Sequence, residues 1–196
     1  MCIRDSLPIV HLLIDNSNTL TKFALDLGGE LSEWRGVIAT SDLSKTSIQN
    51  TLHSQTFERI TLCSVVPDST ILIKTIFDQP IHHISHQSKM PITIDYPNPS
   101  KIGADRLANA SAAILDRQGP AIVIDFGTAV TFDVISKIGS YLGGVIAPGT
   151  ASLRDYLHQK TALLPAIQLE EPNSIIGRST EEAMQVGAVI GYRGLI

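Results

Sequence analysis

The sequence predicts an α/β protein in which one structural unit is written twice, and three observations carry that prediction. First, the stretch from His11 to Phe23 (HLLIDNSNTLTKF) returns, loosened, from Ala121 to Asp133 (AIVIDFGTAVTFD), with Asp125 standing where the first copy has Asp15. Each copy is a continuous apolar run that reads as a buried strand, then an Asp, a tight turn of small or polar residues, and a second strand. Second, the chain between the copies alternates strand and helix patterns, which calls for a mixed sheet with helices on its faces. Third, Asp95-Tyr96-Pro97-Asn98-Pro99-Ser100 holds two prolines that stiffen a linker. A boundary near residue 100 follows, with a first domain over 7–100 and a second over 101–196.

Taken in order, the first half reads as strands over about 9–15 and 19–25, a turn at Gly28-Gly29, and a strand over about 34–39. A helix over about 42–54 follows, started by Ser41 or Asp42, then a strand over about 59–66. A helix over about 68–78, started by Asp68 or Ser69, and a strand over about 81–85 complete it. In the second half, a helix from about Ala104 to Arg117 sets Ala104, Leu107, Ala108, Ser111, Ile114 and Leu115 on one small-residue face. Asp105 and Asn109, four apart, share the other face. After the second hairpin, Gly139 turns the chain into a strand from Tyr141 that ends in a glycine-rich bend at Gly149, before a helix over about 150–160. The last helix opens on Ser179-Thr180-Glu181-Glu182, an S-x-x-E capping box, and carries Gly187, Gly191 and Gly194. It reaches Leu195-Ile196 without a stop signal, so the second unit is expected to be cut short.

Composition narrows the function classes. With 43% hydrophobic and 17% charged residues over 196 positions, the chain has the make-up of a globular protein with a sizeable core. A net charge of −4 and the lack of any Lys/Arg run argue against a nucleic-acid partner. No stretch approaches the length of a membrane span, and Met1 to Ser6 lack the apolar centre of a signal peptide and fit no element, as a scar would. Two cysteines build no disulfide framework, which suits a reducing cytoplasm, and Cys63 sits in an apolar run where a small hydrophobe would serve.

The duplicated hairpin is where chemistry is expected. Facing one another across a cleft, two such hairpins would present two carboxylates and two sets of turn amides to one ligand, a design for a polyphosphate and its metal. Turn N–H groups bind phosphoryl oxygens as oriented dipoles, and a strand-end carboxylate holds Mg2+ directly or through its waters. For either copy alone, an Asp that merely caps a hairpin explains the residue as well; the repetition in register favours the ligand.

Duplicated strand–Asp–turn hairpins resemble the actin, sugar-kinase and Hsp70 superfamily, in which ATP lies between two ribonuclease-H-like domains. Within it, four motifs occur in the order and spacing of type III pantothenate kinases, and the chain resembles that family over about residues 9–196. They are Gly103-Ala104-Asp105-Arg106 with Asn109 and Ala112-Ala113 behind it, Asp125 to Asp133, Tyr141 to Gly149, and Ile176-Gly177-Arg178-Ser179-Thr180. The fold class implied is α/β, with duplicated ribonuclease-H-like (actin-like ATPase) domains on mixed sheets. The activity implied is transfer of the γ-phosphoryl group of ATP to the terminal hydroxyl of pantothenate, giving 4'-phosphopantothenate, the first step toward coenzyme A.

Residue by residue, the resemblance implies a phosphate loop at Asp15, Asn16, Ser17, Asn18, Thr19, Leu20, Thr21 and Lys22, with Thr128 as a further ATP contact. It implies pantothenate contacts at Tyr96, Gly103, Ala104, Asp105, Arg106 and Thr180, with Asp105 as the catalytic base. Asp125 matches the site of an activating monovalent cation, K+ or NH4+, beside ATP and Mg2+. A cytoplasmic homodimer, with no nucleic-acid or membrane partner, is likewise implied, its interface near Gly187, Gly191, Ala108 and Ala112. The chemistry agrees, because a primary alcohol is a poor nucleophile and a carboxylate that takes its proton is useful. Asp105 also reads as an acid favoured in a first helical turn, and Arg106 as a solvated helix residue or a fork for the pantothenate carboxylate. Against the family pattern, Ser17 stands where the first loop has Gly. If that turn needed a positive φ, a Cβ would cost on the order of 1 kcal/mol.

Weaker candidates are a metal site at His82, His83 and His86, a ligand platform at Trp34, whose place reads better as core or strand packing, and a phosphate contact at Lys22, which an exposed strand lysine explains as well. A second class of function is a catalytically weak nucleotide-binding regulatory or accessory protein on the same fold; Asp105 and Asp125 favour the enzyme, Ser17 its loss. A third is a kinase or phosphatase acting on a sugar or polyphosphate, against which the Gly103 to Arg106 segment speaks.

Overall fold

The structure, a computed structural model, describes residues 9–116 and 119–196. The expectations for Met1 to Ser6 and for a helix end at Arg117 lie outside them. Nine strands and five α-helices are described. In the first half these are β1 (His11–Asn16), β2 (Leu20–Asp26), β3 (Leu31–Ala39), α1 (Lys45–Leu52), β4 (Arg59–Ser64), α2 (Pro67–Ile76) and β5 (Ile81–His83). The rest are β6 (Thr93–Ile94), α3 (Ala104–Asp116), β7 (Ala121–Phe126), β8 (Ala129–Ile135), β9 (Ser140–Pro148), α4 (Thr150–Lys160) and α5 (Thr180–Val186).

The first sheet has the order β3-β2-β1-β4-β5, with an antiparallel meander of β1 to β3 and parallel pairing of β1, β4 and β5. That mixed order is the ribonuclease-H-like one. Strand alternation sets Leu12, Ile14, Phe23, Leu25, Ile60 and Leu62 on one face, where Ile48 and Leu52 of α1 and Ile73 of α2 complete the core. Each such fully buried side chain contributes about 1.5–3 kcal/mol. Trp34 packs partly buried against this core. The second sheet has the order β6-β9-β8-β7, with β6 pairing parallel to β9. By packing the chain forms two compact units, one of residues up to 122 with 133–143, the other of 123–132 with 144–196.

Several local expectations change. Thr40–Asp42 form a 3-10 turn, so α1 starts later, capped by Ser44, whose Oγ accepts from the Ser47 N–H at 3.1 Å. At α2 there is no side-chain cap; Pro67 at the first helical position starts the helix, its fixed φ suiting the first turn and its missing N–H being one that no helix bond would use. β6 ends just before the predicted linker, whose second proline opens a 3-10 turn at Pro99–Lys101. The buried face of α3 is Ala104, Leu107 and Ala110, with Leu115 at 76% exposure, so the apolar stripe is rotated from the one drawn on the sequence. Unlike its counterpart β1, β7 is not a buried strand: it lies at a sheet edge, with Ile122 and Phe126 exposed. The last helix is not uniform. After α5 it widens into a π segment over Gly187–Gly191 and closes in a turn where Leu195 N–H donates to the Tyr192 carbonyl.

Candidate active site

The inward face of the first sheet changes character at its upper end. Continuing the rows Leu12-Ile14 and Ile60-Leu62 by one inward position gives Asn16 and Ser64, and the matching residue of β2 is Thr21; all three are buried. They bond one another. Asn16 Nδ2 donates to Thr21 Oγ1 at 2.7 Å, while Asn16 Oδ1 accepts from Ser64 Oγ at 2.7 Å. Thr70 of α2 donates to Ser64 Oγ at 2.7 Å, and Thr40 donates to the Ser17 carbonyl at 2.7 Å. The turn between β1 and β2 is therefore bolted to β4, α2 and the 3-10 turn from below. Within the predicted phosphate loop, Asn16 and Thr21 turn their side chains into this network, whereas Asn18, Thr19, Leu20 and Lys22 are exposed.

Ser17 is relaxed. Among the described residues no side-chain-bearing one has a positive φ, so the strain expected at Ser17 is absent. Its N–H and Oγ both donate to the Leu20 carbonyl, at 3.1 and 2.9 Å, which closes the turn without glycine geometry.

On the opposite side of the strands, Asp15 of β1 stands beside Cys63 of β4 in parallel register. Asp15 is half-exposed and has Lys22 Nζ at 3.4 Å, a contact of little energetic weight at such exposure. Burial, then the charge of Asp15, then that of Asp105 push the Cys63 thiol up to about 12. One thiol thus feels both carboxylates. The strand-end Asp and the first turn of α3 meet at the end of β4, a convergence that spacing in the sequence does not reveal.

Gly103 leads into α3, accepting the Leu107 N–H through its carbonyl at 3.2 Å. A Cβ at Gly103 would collide with Asp105 Oδ1, so glycine here leaves room for the carboxylate. Asp105 Oδ1 accepts the Arg106 N–H at 2.8 Å. Arg106 Nε donates to Asp133 Oδ1 at 2.7 Å, and the Tyr141 hydroxyl donates to the same oxygen at 2.8 Å. Desolvation lowers the Arg106 pKa, yet the bond and charge of Asp133 outweigh it and hold the guanidinium above its usual value. Burial and Asp133 likewise raise Tyr141, which stays a neutral donor. The guanidinium lies 5.8 Å over the Tyr141 ring, and Tyr96 meets that ring edge-on at 6.2 Å. Gly143, at φ +121°, brings backbone against Tyr96 where a Cβ would press on its ring at 3.3 Å. Asp133, Tyr141 and Gly143 were visible only as members of motifs. Their part in the site comes from the packing of β8 and β9 onto α3.

The second unit carries the other candidates. Asp125 and Thr128 are exposed at the second hairpin, whose turn amide at Gly127 donates to the Ala129 carbonyl at 2.9 Å. The Thr128 carbonyl accepts from Ser152 Oγ at 2.7 Å and from Gly149 N–H at 3.0 Å. A Cβ at Gly149 would strike the Gly127 carbonyl, so the bend is glycine for close backbone approach. Thr180 lies on a groove of about 830 Å³ lined by Arg154, Leu157, Ile167, Arg178 and Met184. The Ser179 cap accepts from the Glu182 N–H at 3.1 Å, and the Glu182 carboxylate reaches back to the Arg178 N–H at 2.6 Å, one residue earlier than the capping box predicts. No group of three His, Cys, Asp or Glu side chains suited to a metal occurs among the described residues. His83 instead has Nδ1 at 3.4 Å from Lys74, and burial with that ammonium holds its pKa below the ordinary value. No helix of the described residues is long and apolar enough to cross a membrane.

The strand order defines the class, an α/β protein of the ribonuclease-H-like, actin-like ATPase architecture. A solved structure from Campylobacter jejuni, described as a conserved putative Baf family transcriptional activator, shares the fold with a TM-score of 0.60. It is 20% identical, over 94% of this chain and 76% of that one. A family model described as type III pantothenate kinase matches residues 11–196. The type III pantothenate kinase of Akkermansia muciniphila is 50% identical over 188 residues, 96% of this chain and 78% of that protein. That of Methylacidiphilum infernorum is 44% identical over 185 residues, 94% of this chain and 68% of that protein. The chain belongs to the type III pantothenate kinase family.

Proposed function

We propose that this chain transfers the γ-phosphoryl group of ATP to the terminal hydroxyl of pantothenate, giving 4'-phosphopantothenate for coenzyme A synthesis. In a member of this family, the observation that carries the reading is the convergence of Asp15 and Asp105 on the end of β4, beside the Arg106 and Tyr96 cluster. Asp105 takes the hydroxyl proton as the new phosphorus–oxygen bond forms and the bond to ADP breaks, and Gly103 keeps space for that carboxylate. Tyr96, Gly103, Ala104 and Arg106 receive pantothenate, with Thr180 as a further contact. The turn from Asp15 to Lys22 receives the phosphates, with Thr128 as a further contact; Asn16 and Thr21 serve it from beneath by fixing the turn.

The donors suit Mg2+. Asp15 offers one half-exposed hard oxygen ligand, which fits a metal bound by one carboxylate, waters and substrate phosphates, and which supplies charge neutralisation when present. Asp125 supports K+ or NH4+. We read residues 7–100 and 101–196 as the two repeats of the duplication, and the working unit as a cytoplasmic homodimer. The test is a phosphorus NMR assay: with ATP and pantothenate the protein should yield ADP and a new phosphomonoester, and ATP left intact would reject the reading.

A further inference from the structure

Asp133 is the charged side chain that the described part of the molecule buries completely, and the proposed chemistry leaves it without a task. Its Oδ1 receives Arg106 Nε and the Tyr141 hydroxyl and lies 2.6 Å from Arg106 Nη2, while its Oδ2 has no hydrogen-bond partner. Such a group is a poor way to stabilise a fold, because desolvating an ion pair and orphaning a carboxylate oxygen both cost free energy that an apolar trio would not. What the arrangement does provide is orientation. One oxygen fixes the guanidinium and the tyrosine ring, the ring carries the guanidinium on its face and Tyr96 at its edge, and Arg106 is the residue next to Asp105.

We propose that Asp133 is a positioning residue for pantothenate: through Oδ1 it holds the Arg106 guanidinium and the Tyr141 ring, so that the carboxylate of the substrate meets a pre-set cation. Asp133 itself touches no solvent and acts through Arg106. The inference rests on the reading of Arg106 and Tyr96 as pantothenate contacts.

The test compares the wild-type chain with Asp133→Asn, which keeps the size and one acceptor oxygen, and Tyr141→Phe, which removes one donor and no charge. Each is assayed with pantothenate and with panthenol, whose primary alcohol replaces the carboxylate, and each is titrated with pantothenate by calorimetry. For Asp133→Asn the KM for pantothenate should rise about tenfold, and the preference for pantothenate over panthenol should shrink by a similar factor, with the KM for ATP unchanged. Tyr141→Phe should move both in the same direction by less. A folded Asp133→Asn with wild-type KM and preference overturns the proposal, as does an equal loss toward both substrates and ATP, the mark of a merely structural role. If Asp133→Asn does not fold, Tyr141→Phe decides on the same criteria. Calorimetry separates this proposal from the assigned activity. Weaker pantothenate binding by the variants supports the positioning role even where no turnover is seen, whereas unchanged binding by the variants of a wild type that turns over rejects the role and leaves the activity standing.

Discussion

The Gly103 to Arg106 segment shows how three neighbouring residues, Gly103, Asp105 and Arg106, divide one task. Gly103 makes room, Asp105 is the proposed base, and Arg106 ties the helix start to Asp133 through a part-buried bond. Gly103→Ala puts a methyl group where Asp105 Oδ1 sits; the carboxylate rotates away at little cost to the fold. The expected result is a kcat lowered by about tenfold or more with a melting temperature close to wild type, since a displaced catalytic group loses orientation and leaves packing intact. A variant as fast as wild type would mean that the Asp105 position is not critical. Ser17 supports the opposite expectation from its sequence reading. Because its φ is ordinary and its hydroxyl closes the turn on the Leu20 carbonyl, Ser17→Gly should lower stability by about 0.5–1 kcal/mol and should not tighten ATP binding. Thermal melting and calorimetry with ATP check both halves.

At the scale of elements, the first sheet was legible because its strands alternate between one buried and one less buried face, and because a two-glycine turn at Gly28-Gly29, both at positive φ, punctuates them. The helix starts were less so. Ser41 and Asp42 look like a helix start in sequence, but the Leu43 N–H bonds the Thr40 carbonyl and closes a 3-10 turn there, while the Thr40 N–H is tied to the Thr19 carbonyl, so α1 begins later. For β7, an apolar run cannot say which face a neighbour will cover, and Ile122 and Phe126 stay exposed. Within the site, residues contiguous in the Gly103 motif could be read directly. Asp133 and Tyr141 could not, since their roles depend on β8 and β9 reaching α3. The polar row beneath the first turn was equally hidden, and it makes a prediction of its own. Asn16→Ala removes two buried hydrogen bonds, to Thr21 and to Ser64, so stability should fall by about 1–3 kcal/mol, read as a lower melting temperature. An unchanged melt would show that the network is slack.

At the scale of the whole molecule, the proposed function assigns charge management around a polyphosphate to the carboxylates of a duplicated hairpin. Asp125 on the second hairpin repeats Asp15 on the first, and as the proposed cation support it would make activity depend on the monovalent ion. Rates should rise with K+ and not with Na+, and Asp125→Ala should flatten that response; equal rates in both salts count against the assignment. The central claim is that Asp105 deprotonates pantothenate as phosphorus–oxygen bond formation begins. It is tested most directly by measuring pantothenate-dependent ADP release for Asp105→Asn beside wild type, with ATP affinity determined on the same samples. The account predicts a kcat reduced by about 10²–10⁴ with ATP binding preserved; an Asp105→Asn protein that turns over near the wild-type rate would contradict it.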